Sequence, residues 1–370
     1  MKKIYQIDGE TVFYDPGPEM LKFFADMYPI YEIPSVQPSP GFIPKFQLLK
    51  RKKSKSNKAL FDREKEEAIA VINSPKTGES EIEKGRLYSA LDVLFVSLLK
   101  HIKNCKLCGL NCGVNRYVQN GRCGLDSKAY HEIPFIHIAE EKVINPAIVL
   151  NLGGCSLRCT YCIESKIWDA KNFSRSNPKT FWEQVQELMD QDLPINSLEF
   201  TNPTESLHGV LAILNDAPDD INLPVVLNCH LYGTKHFYGF ADQIADVWLM
   251  DLRYGNDRCA KALSSVDNYM QHAKNGLNAV INQGSKVIVR ILVLPGHLAC
   301  CHKKSIELLS RYRDKLWVSI LDQYIPEHQA HLDSKLCKRP NEDEILEVGA
   351  LEKKFGLRDI VSDGDDFWLT

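Results

Sequence analysis

From residue 147 onward the sequence alternates short apolar runs with longer helical stretches, and this alternation limits the possible folds more than any single residue does. The runs are "AIVLNL" (147–152), "SLEFT" (197–201), "LPVVLN" (223–228), "DVWLMD" (246–251), "KVIVRILVL" (286–294) and "LWVSILD" (316–322). Each is short enough for a buried strand, and most are rich in β-branched residues. Helical patterning fills the gaps at roughly 178–191, 204–216, 234–245, 257–281 and 303–313, and a last helix over 342–355 is capped by Asn341. Strand–helix repetition means βα units and a parallel sheet. Six units are too few to close an eight-stranded barrel, which leaves an open partial barrel or a doubly wound sheet. In both, working groups collect at the C-terminal strand edge, which here carries Gly153 to Cys155, Thr201, Asn202, Asn228, Asp251, Gln323 and Tyr324. Arg290 lies inside an apolar strand and needs an anionic partner, either a carboxylate of the protein or one on a ligand.

The cysteines are the second constraint. The chain has twelve, and seven of them fall between positions 105 and 162. A disulfide framework suits small secreted domains better than a chain of 370 residues, so clustering at short spacing points to metal or iron–sulfur ligation. Cys155, Cys159 and Cys162 follow C-x3-C-x2-C on the loop after the first strand of the series. Structural zinc wants four protein ligands, whereas three thiolates on a four-iron cube leave one iron open to substrate. Gly153 and Gly154 allow a tight turn ahead of the first ligand, and Tyr161 offers a flat ring beside the third. Upstream, Cys105, Cys108, Cys112 and Cys123 follow C-x2-C-x3-C-x10-C. That set meets the ligand count of a structural Zn2+ or of a fully coordinated [4Fe–4S] cluster, and spacing does not choose between them. Cys229, Cys259, Cys300, Cys301 and Cys337 read as ordinary thiols. "CCHKK" (300–304) has a ligand-like composition, but adjacent cysteines rarely chelate one metal, and a loop-to-helix start explains it. The histidines His101, His131, His137, His297 and His302 are discounted in the same way.

The chain organises into an N-terminal extension (1–83), a helix and four-cysteine metal- or cluster-binding segment (84–140), the βα series (141–340) and a C-terminal helix and tail (341–370). The proline-rich stretch "IPSVQPSPGFIPKF" reads as an extended linker. "KRKKSKSNK" (50–58) carries six basic residues in nine without an interleaved aromatic, so it reads as a solvated flexible segment rather than a nucleic-acid contact. Residues 81–104 form an amphipathic pattern with Leu87, Leu91, Leu94, Leu98 and Ile102 on one stripe. A net charge of −3 gives no global case for nucleic acid or anionic membrane. The first residues turn polar at once, and no apolar run reaches membrane-spanning length, so the expectation is a soluble cytoplasmic protein.

The C-x3-C-x2-C triad with an aromatic before its third cysteine, set after the first strand of a βα series, resembles the radical S-adenosylmethionine (SAM) superfamily. The likeness runs over about residues 92–355, toward the branch similar to pyruvate formate-lyase activating enzymes, through "CKLCGLNCGVNR" (105–116), "GRCG" (121–124), "TNPTE" (201–205), "LPVVLN" (223–228), "VRILVLPG" (289–296) and "LDQYIP" (321–326). It implies a partial (β/α)6 barrel in which Cys155, Cys159 and Cys162 ligate a [4Fe–4S] cluster. The SAM amine and carboxylate would sit on the unique iron, and cleavage would give a 5′-deoxyadenosyl radical that abstracts hydrogen from a substrate. An electron donor such as flavodoxin or ferredoxin is implied, and the substrate could be a protein or peptide, an RNA or a small metabolite. "TNPTE" stands where the family places a Gly-Gly-Glu-like loop that meets the SAM amine; Thr201 and Asn202 replace its glycines. The resemblance also allows Asn228 and Asp251 to bond ribose or substrate, and Arg290 to hold the SAM carboxylate. Related sequences often carry histidine where this chain has Ile291. The alternatives are an activase for a glycyl-radical enzyme and a non-catalytic zinc protein that contacts nucleic acid through residues 50–58.

Overall fold

The apolar runs pair in the order in which they occur along the chain. The structure, a computed structural model, describes residues 3–7, 10–14, 38, 41–69, 88–191, 193–364 and 367–368. A seven-stranded sheet is built from β1 (Phe135–His137), β2 (Ala147–Asn151), β3 (Ser197–Thr201), β4 (Val225–Cys229), β5 (Val247–Asp251), β6 (Lys286–Leu292) and β7 (Trp317–Leu321). The spatial order is the sequence order from one edge to the other. Strands β2 to β7 are parallel, and β1 adds antiparallel to β2 through pairs such as Ile136 with Ile148. A doubly wound sheet would place later strands on both sides of the first. Sequential order instead describes a singly wound arc, an open (β/α)6 partial barrel. The antiparallel edge strand β1 was not anticipated from the sequence.

Strand alternation divides the arc into two faces. Leu198, Phe200, Leu227, Trp248, Met250, Val287, Val289 and Ile291 pack outward into the main core beneath the helices. Val226, Val247, Leu249, Ile288 and Trp317 point inward and form a second apolar cluster with Val143, Ile144, Ile360, Phe367 and Trp368. The C-terminal segment thus floors the concave face, and Trp368 Nε1 donates to the Val143 carbonyl at 2.8 Å. Further along the same inward rows, toward the strands' C-terminal ends, apolar residues give way to Asn228, Asp251 and Arg290, while Glu199 pairs level with Val226. The concave face is therefore dry at one end and polar at the other.

The helices are α1 (Lys45–Arg51), α2 (Lys55–Ile69), α3 (Ala90–His101), α4 (Pro178–Met189), α5 (Pro203–Asn215), α6 (Lys235–Ala241), α7 (Asp257–Ser264), α8 (Tyr269–Ile281), α9 (Lys303–Leu309) and α10 (Glu342–Lys354). A capping box, Ser89 with Asp92, starts α3, and its stripe residues Leu91, Leu98 and Ile102 are fully buried. Leu87 and half of the proline-rich stretch (33–37, 39 and 40) lie outside the described residues. Two expectations are corrected. The 257–281 helix is two helices, because Ser265 (φ 58°) and Asn268 (φ 55°) adopt the left-handed conformation and end one helix before the next begins. The basic run 50–58 is ordered, spanning the end of α1, a two-residue strand (Lys53–Ser54) paired with Tyr88–Ser89, and the start of α2. Lys50 pairs with Asp219 at 3.1 Å and with the Ala217 carbonyl, and so holds α1 against the loop after α5.

Candidate functional site

After β2 the chain turns sharply through Gly153 and Gly154 into Cys155. Gly154 has φ +86°, and a Cβ there would collide with the Leu125 side chain, so glycine is required on both conformational and steric grounds. The first turn of α5 clamps this loop. Ser206 Oγ donates to the Gly153 carbonyl at 2.8 Å, Asn202 Nδ2 donates to the Gly154 carbonyl, and the Glu205 carboxylate accepts from Ser156 N at 3.1 Å. On the other side, Arg158 N and Thr160 N donate to the carbonyls of Ser264 (3.2 Å) and Leu263 (2.8 Å) at the end of α7. The backbone that presents the three thiols is thus fixed from two helices.

Cys155 and Cys159 are buried and Cys162 is half-buried. Burial raises the Cys155 thiol well above its ordinary pKa and pushes Cys162 up to about 12, so without metal these sulfurs hold their protons. A bound cation reverses this by deprotonating its thiols. Two features suit such a charge. The Arg253 guanidinium faces Cys159 and Cys162 and is tied to Asp251 at 2.8 Å, and the Ser156 and Thr160 hydroxyls are buried on the loop with no partner. Cys229, the next cysteine along the chain, lies buried at the end of β4, where Asp251, Glu205 and Arg290 are the charges that face it. Tyr161 is 4% exposed, with its hydroxyl donating to Tyr254 at 3.0 Å and its ring edge-on to Tyr324. Tyr254 bonds Ser264, which stands 2.9 Å from Cys159 Sγ.

The upstream cysteines form a knuckle that docks beside the trio. Gly109 N donates to the Tyr232 carbonyl at 2.7 Å, and a Cβ on Gly109 would lie 2.6 Å from the Tyr232 ring. Cys155 N donates to the Cys123 carbonyl at 3.2 Å, so the two cysteine groups share a backbone contact. At the knuckle's centre Arg116 is 1% exposed, donating to Cys123 Sγ at 3.2 Å and to the Glu205 carbonyl at 2.7 Å, while its Nε has no partner. Burial would lower its pKa, but Cys123, Cys105, Cys108 and Glu205 outweigh that and raise it. A buried guanidinium among three sulfurs is well matched to thiolates and poorly matched to neutral thiols.

Sequence reasoning did not single out Glu205. It is fully buried and stands 3.3 Å from His230 Nε2. Burial alone would raise its pKa; His230 and the Ser156 donor outweigh that and hold the carboxyl below its usual range. A glutamate closing the "TNPTE" segment was the available signal.

The strand-end residues meet in one network on the concave face. Arg290 donates from Nε to Asp251 (2.7 Å), from Nη2 to Asn228 Oδ1 (2.7 Å) and from Nη1 to Glu140 (3.1 Å). Asn228 Nδ2 and Thr201 Oγ1 both donate to Glu199 Oε1, at 2.7 and 3.3 Å, and Gln323 donates to Glu140 at 2.8 Å. The anionic partners of Arg290 in this structure are therefore protein carboxylates. Burial would raise the Asp251 pKa, but Arg290 and Arg253 outweigh it and hold it low.

One group expected to be inert is drawn together. The ligand atoms of Cys259, His297, Cys300 and Cys301 all lie within 4.8 Å of one another, a convergence that the sequence reading of ordinary thiols at a helix start did not anticipate. Cys259 comes from α7 and the rest from the turn after β6, so nearly forty residues of sequence hid the group. Neither the trio nor the quartet is drawn this close among the described residues.

Among the described residues no helix is long and apolar enough to cross a membrane. No family model matches the chain. Two solved structures share limited overall similarity. One is TYW1 with a lysine–pyruvate adduct bound (TM-score 0.34, 10% identity, 55% of this chain and 73% of that one). The other is the radical S-adenosylmethionine methyltransferase TsrM of Kitasatospora setae with cobalamin and a [4Fe–4S] cluster (TM-score 0.33, 13% identity, 47% of this chain and 34% of that one). Sequence similarity is much stronger to a protein of Methanocaldococcus jannaschii, "Uncharacterized protein MJ0674", with 31% identity over 281 residues that cover 73% of this chain and 80% of that protein. The chain belongs to the same family as MJ0674.

Proposed function

We propose that the protein is a radical SAM enzyme. The observation that carries this reading is the trio Cys155, Cys159 and Cys162 on a clamped loop at the C-terminal edge of an open (β/α)6 arc. A [4Fe–4S] cluster bound there with SAM supplies reductive cleavage of the sulfonium to a 5′-deoxyadenosyl radical.

The residues present fit that group. Three soft thiolates are the appropriate donor set, and Arg253 offsets the negative charge that they and the cluster would bring into a buried loop. Asn202, Ser206 and Glu205 hold the loop backbone that carries the first ligand. Thr201, Asn228, Asp251 and Arg290 line the polar part of the concave face beyond the loop, where the nucleoside and amino-acid portions of SAM would lie. In this role Asn228 and Asp251 act as acceptors for ribose hydroxyls. The Arg290 Nη1 group, paired with Glu140 at the rim, is the donor best placed to exchange partners for a ligand carboxylate. Tyr161 acts as packing beneath the site. The apolar floor closed by Phe367 and Trp368 keeps water from one end of the cavity, which protects a reactive radical. The Cys105, Cys108, Cys112 and Cys123 knuckle is read as a second metal-bearing element that relays electrons to the trio; Arg116 at its centre and the Cys123–Cys155 backbone bond support this reading. The reductant is an external one-electron donor of the flavodoxin or ferredoxin class.

The test is anaerobic reconstitution with iron and sulfide, followed by dithionite and SAM. Iron uptake with formation of 5′-deoxyadenosine supports the reading. A folded protein that takes up no iron overturns it.

A further inference from the structure

We propose a mononuclear Zn2+ site formed by Cys259, His297, Cys300 and Cys301, separate from both cysteine groups discussed above. The convergence of these four side chains is tertiary. Cys259 sits in the first turn of α7, and the other three lie on the turn that follows β6, where residues Leu298–His302 form a π-turn closed by Cys301 N and His302 N donating to the His297 carbonyl at 2.8 and 3.3 Å. The wide turn lets the side chains of two adjacent cysteines meet one point, which a tighter helix start would oppose.

The spacing matches a single tetrahedral ion. With metal–sulfur bonds of about 2.3 Å and metal–nitrogen bonds of about 2.0 Å, tetrahedral geometry places a sulfur and a nitrogen ligand about 3.5 Å apart. His297 Nδ1 lies 3.3 Å from Cys300 Sγ and 3.9 Å from Cys301 Sγ, one on each side of that value. All four ligand atoms fall within 4.8 Å of one another, a span suited to one ion. Three thiolates and an imidazole in a closed set of four select zinc over hard cations such as magnesium or calcium.

The surrounding donors are those a thiolate site requires. Asn256 Nδ2 lies 3.2 Å from Cys259 Sγ, 3.6 Å from Cys301 Sγ and 2.7 Å from the Cys300 carbonyl, while its Oδ1 accepts from Cys259 N at 2.8 Å. One side chain thus caps α7 and orients two of the ligands. Gly255 permits the approach of the two loops, since a Cβ there would collide with the Cys301 carbonyl. Cys259, Cys301 and His297 are buried, and only Cys300 is partly open to solvent. Binding would release the three thiol protons to water and tie α7 to the β6–α9 turn. The far end of α7 carries Ser264, 2.9 Å from Cys159 Sγ, so the ion would steady the helix against which the trio loop rests. From Cys259 to Ser264 the helix rises about 7.5 Å.

The assignment is independent of the radical SAM reading, and zinc and iron counts on the full-length chain separate the two. Elemental analysis of the wild type should show one more zinc per chain than the Cys259→Ser/Cys301→Ser variant, with iron unchanged. His297→Cys should retain that zinc, because four thiolates also hold it. Cys159→Ala should lose iron and keep the zinc. Should the double variant fail to fold, cadmium-113 resonance of the cadmium-loaded wild type should show a three-sulfur, one-nitrogen signal distinct from any four-sulfur signal. Equal zinc in wild type and double variant, absence of the mixed-ligand signal, or a disulfide linking Cys259 to Cys300 or Cys301 in the purified protein would each overturn the proposal.

Discussion

At the scale of single residues, the trio was legible because its members are near neighbours in sequence: eight positions hold all three sulfurs, so no folding event is needed to bring them together. Glu205 and the Cys259 group were not legible, because their meaning arises only after distant loops meet. Glu205 is fully buried between the two cysteine groups, 3.3 Å from His230 Nε2. Replacement by Gln should cost about 1–3 kcal/mol in chemical denaturation, since it weakens the buried bond that the carboxylate accepts from Ser156 N. The sign of the pH dependence follows from its lowered pKa. The stabilisation is present above the unfolded value near 4.5 and is lost as pH falls through the lower folded value, so Glu205→Gln should show a shallower acid loss than wild type. Asn202 combines a left-handed backbone (φ 64°) with a side-chain bond to the Gly154 carbonyl. Asn202→Ala forfeits both and should destabilise by about 1–2 kcal/mol, with weaker iron retention measured by the rate of cluster bleaching in a chelator.

At the scale of elements, all six parallel strands lie where the apolar runs placed them, because a β-branched run bounded by turn residues has few other uses in a parallel α/β chain. The break between α7 and α8 escaped detection because Ser265 and Asn268 are compatible with a helix by composition and leave it only through positive φ. The antiparallel strand β1 escaped because three residues carry too little pattern. The knuckle's docking on the β4–α6 loop depends on Gly109 lying flat on the Tyr232 ring. Gly109→Ala should force that contact apart, cost about 1–3 kcal/mol and reduce the metal content of the Cys105 group while sparing the trio. In α10, burial, with Asp359 and Asp363 nearby, raises Glu352 to about 7 from an ordinary 4.5. The folded state therefore retains a proton that the unfolded chain has lost, and stability should fall as pH rises from about 4.5 to 7. Glu352→Gln should flatten that decline in a series of thermal melts.

At the scale of the whole molecule, sequential strand order gives one concave face with an apolar floor and a polar mouth, and the choice between a singly and a doubly wound sheet could be made only from strand order. The floor is closed by residues far from the barrel in sequence: Trp368 stacks edge-on with Phe367, which meets Trp317 of β7. Trp368→Ala should cost about 3–5 kcal/mol and expose the apolar floor to solvent, seen as faster amide exchange in β5 and β6. In the proposed function the trio leaves one metal vertex free for SAM. Electron paramagnetic resonance of the anaerobically reconstituted, dithionite-reduced protein, recorded before and after addition of SAM, tests it most directly. Wild type should give a reduced-cluster signal whose g-values shift on SAM addition, and Cys159→Ala should show no SAM-responsive signal. A trio-dependent signal that does not respond to SAM would contradict it.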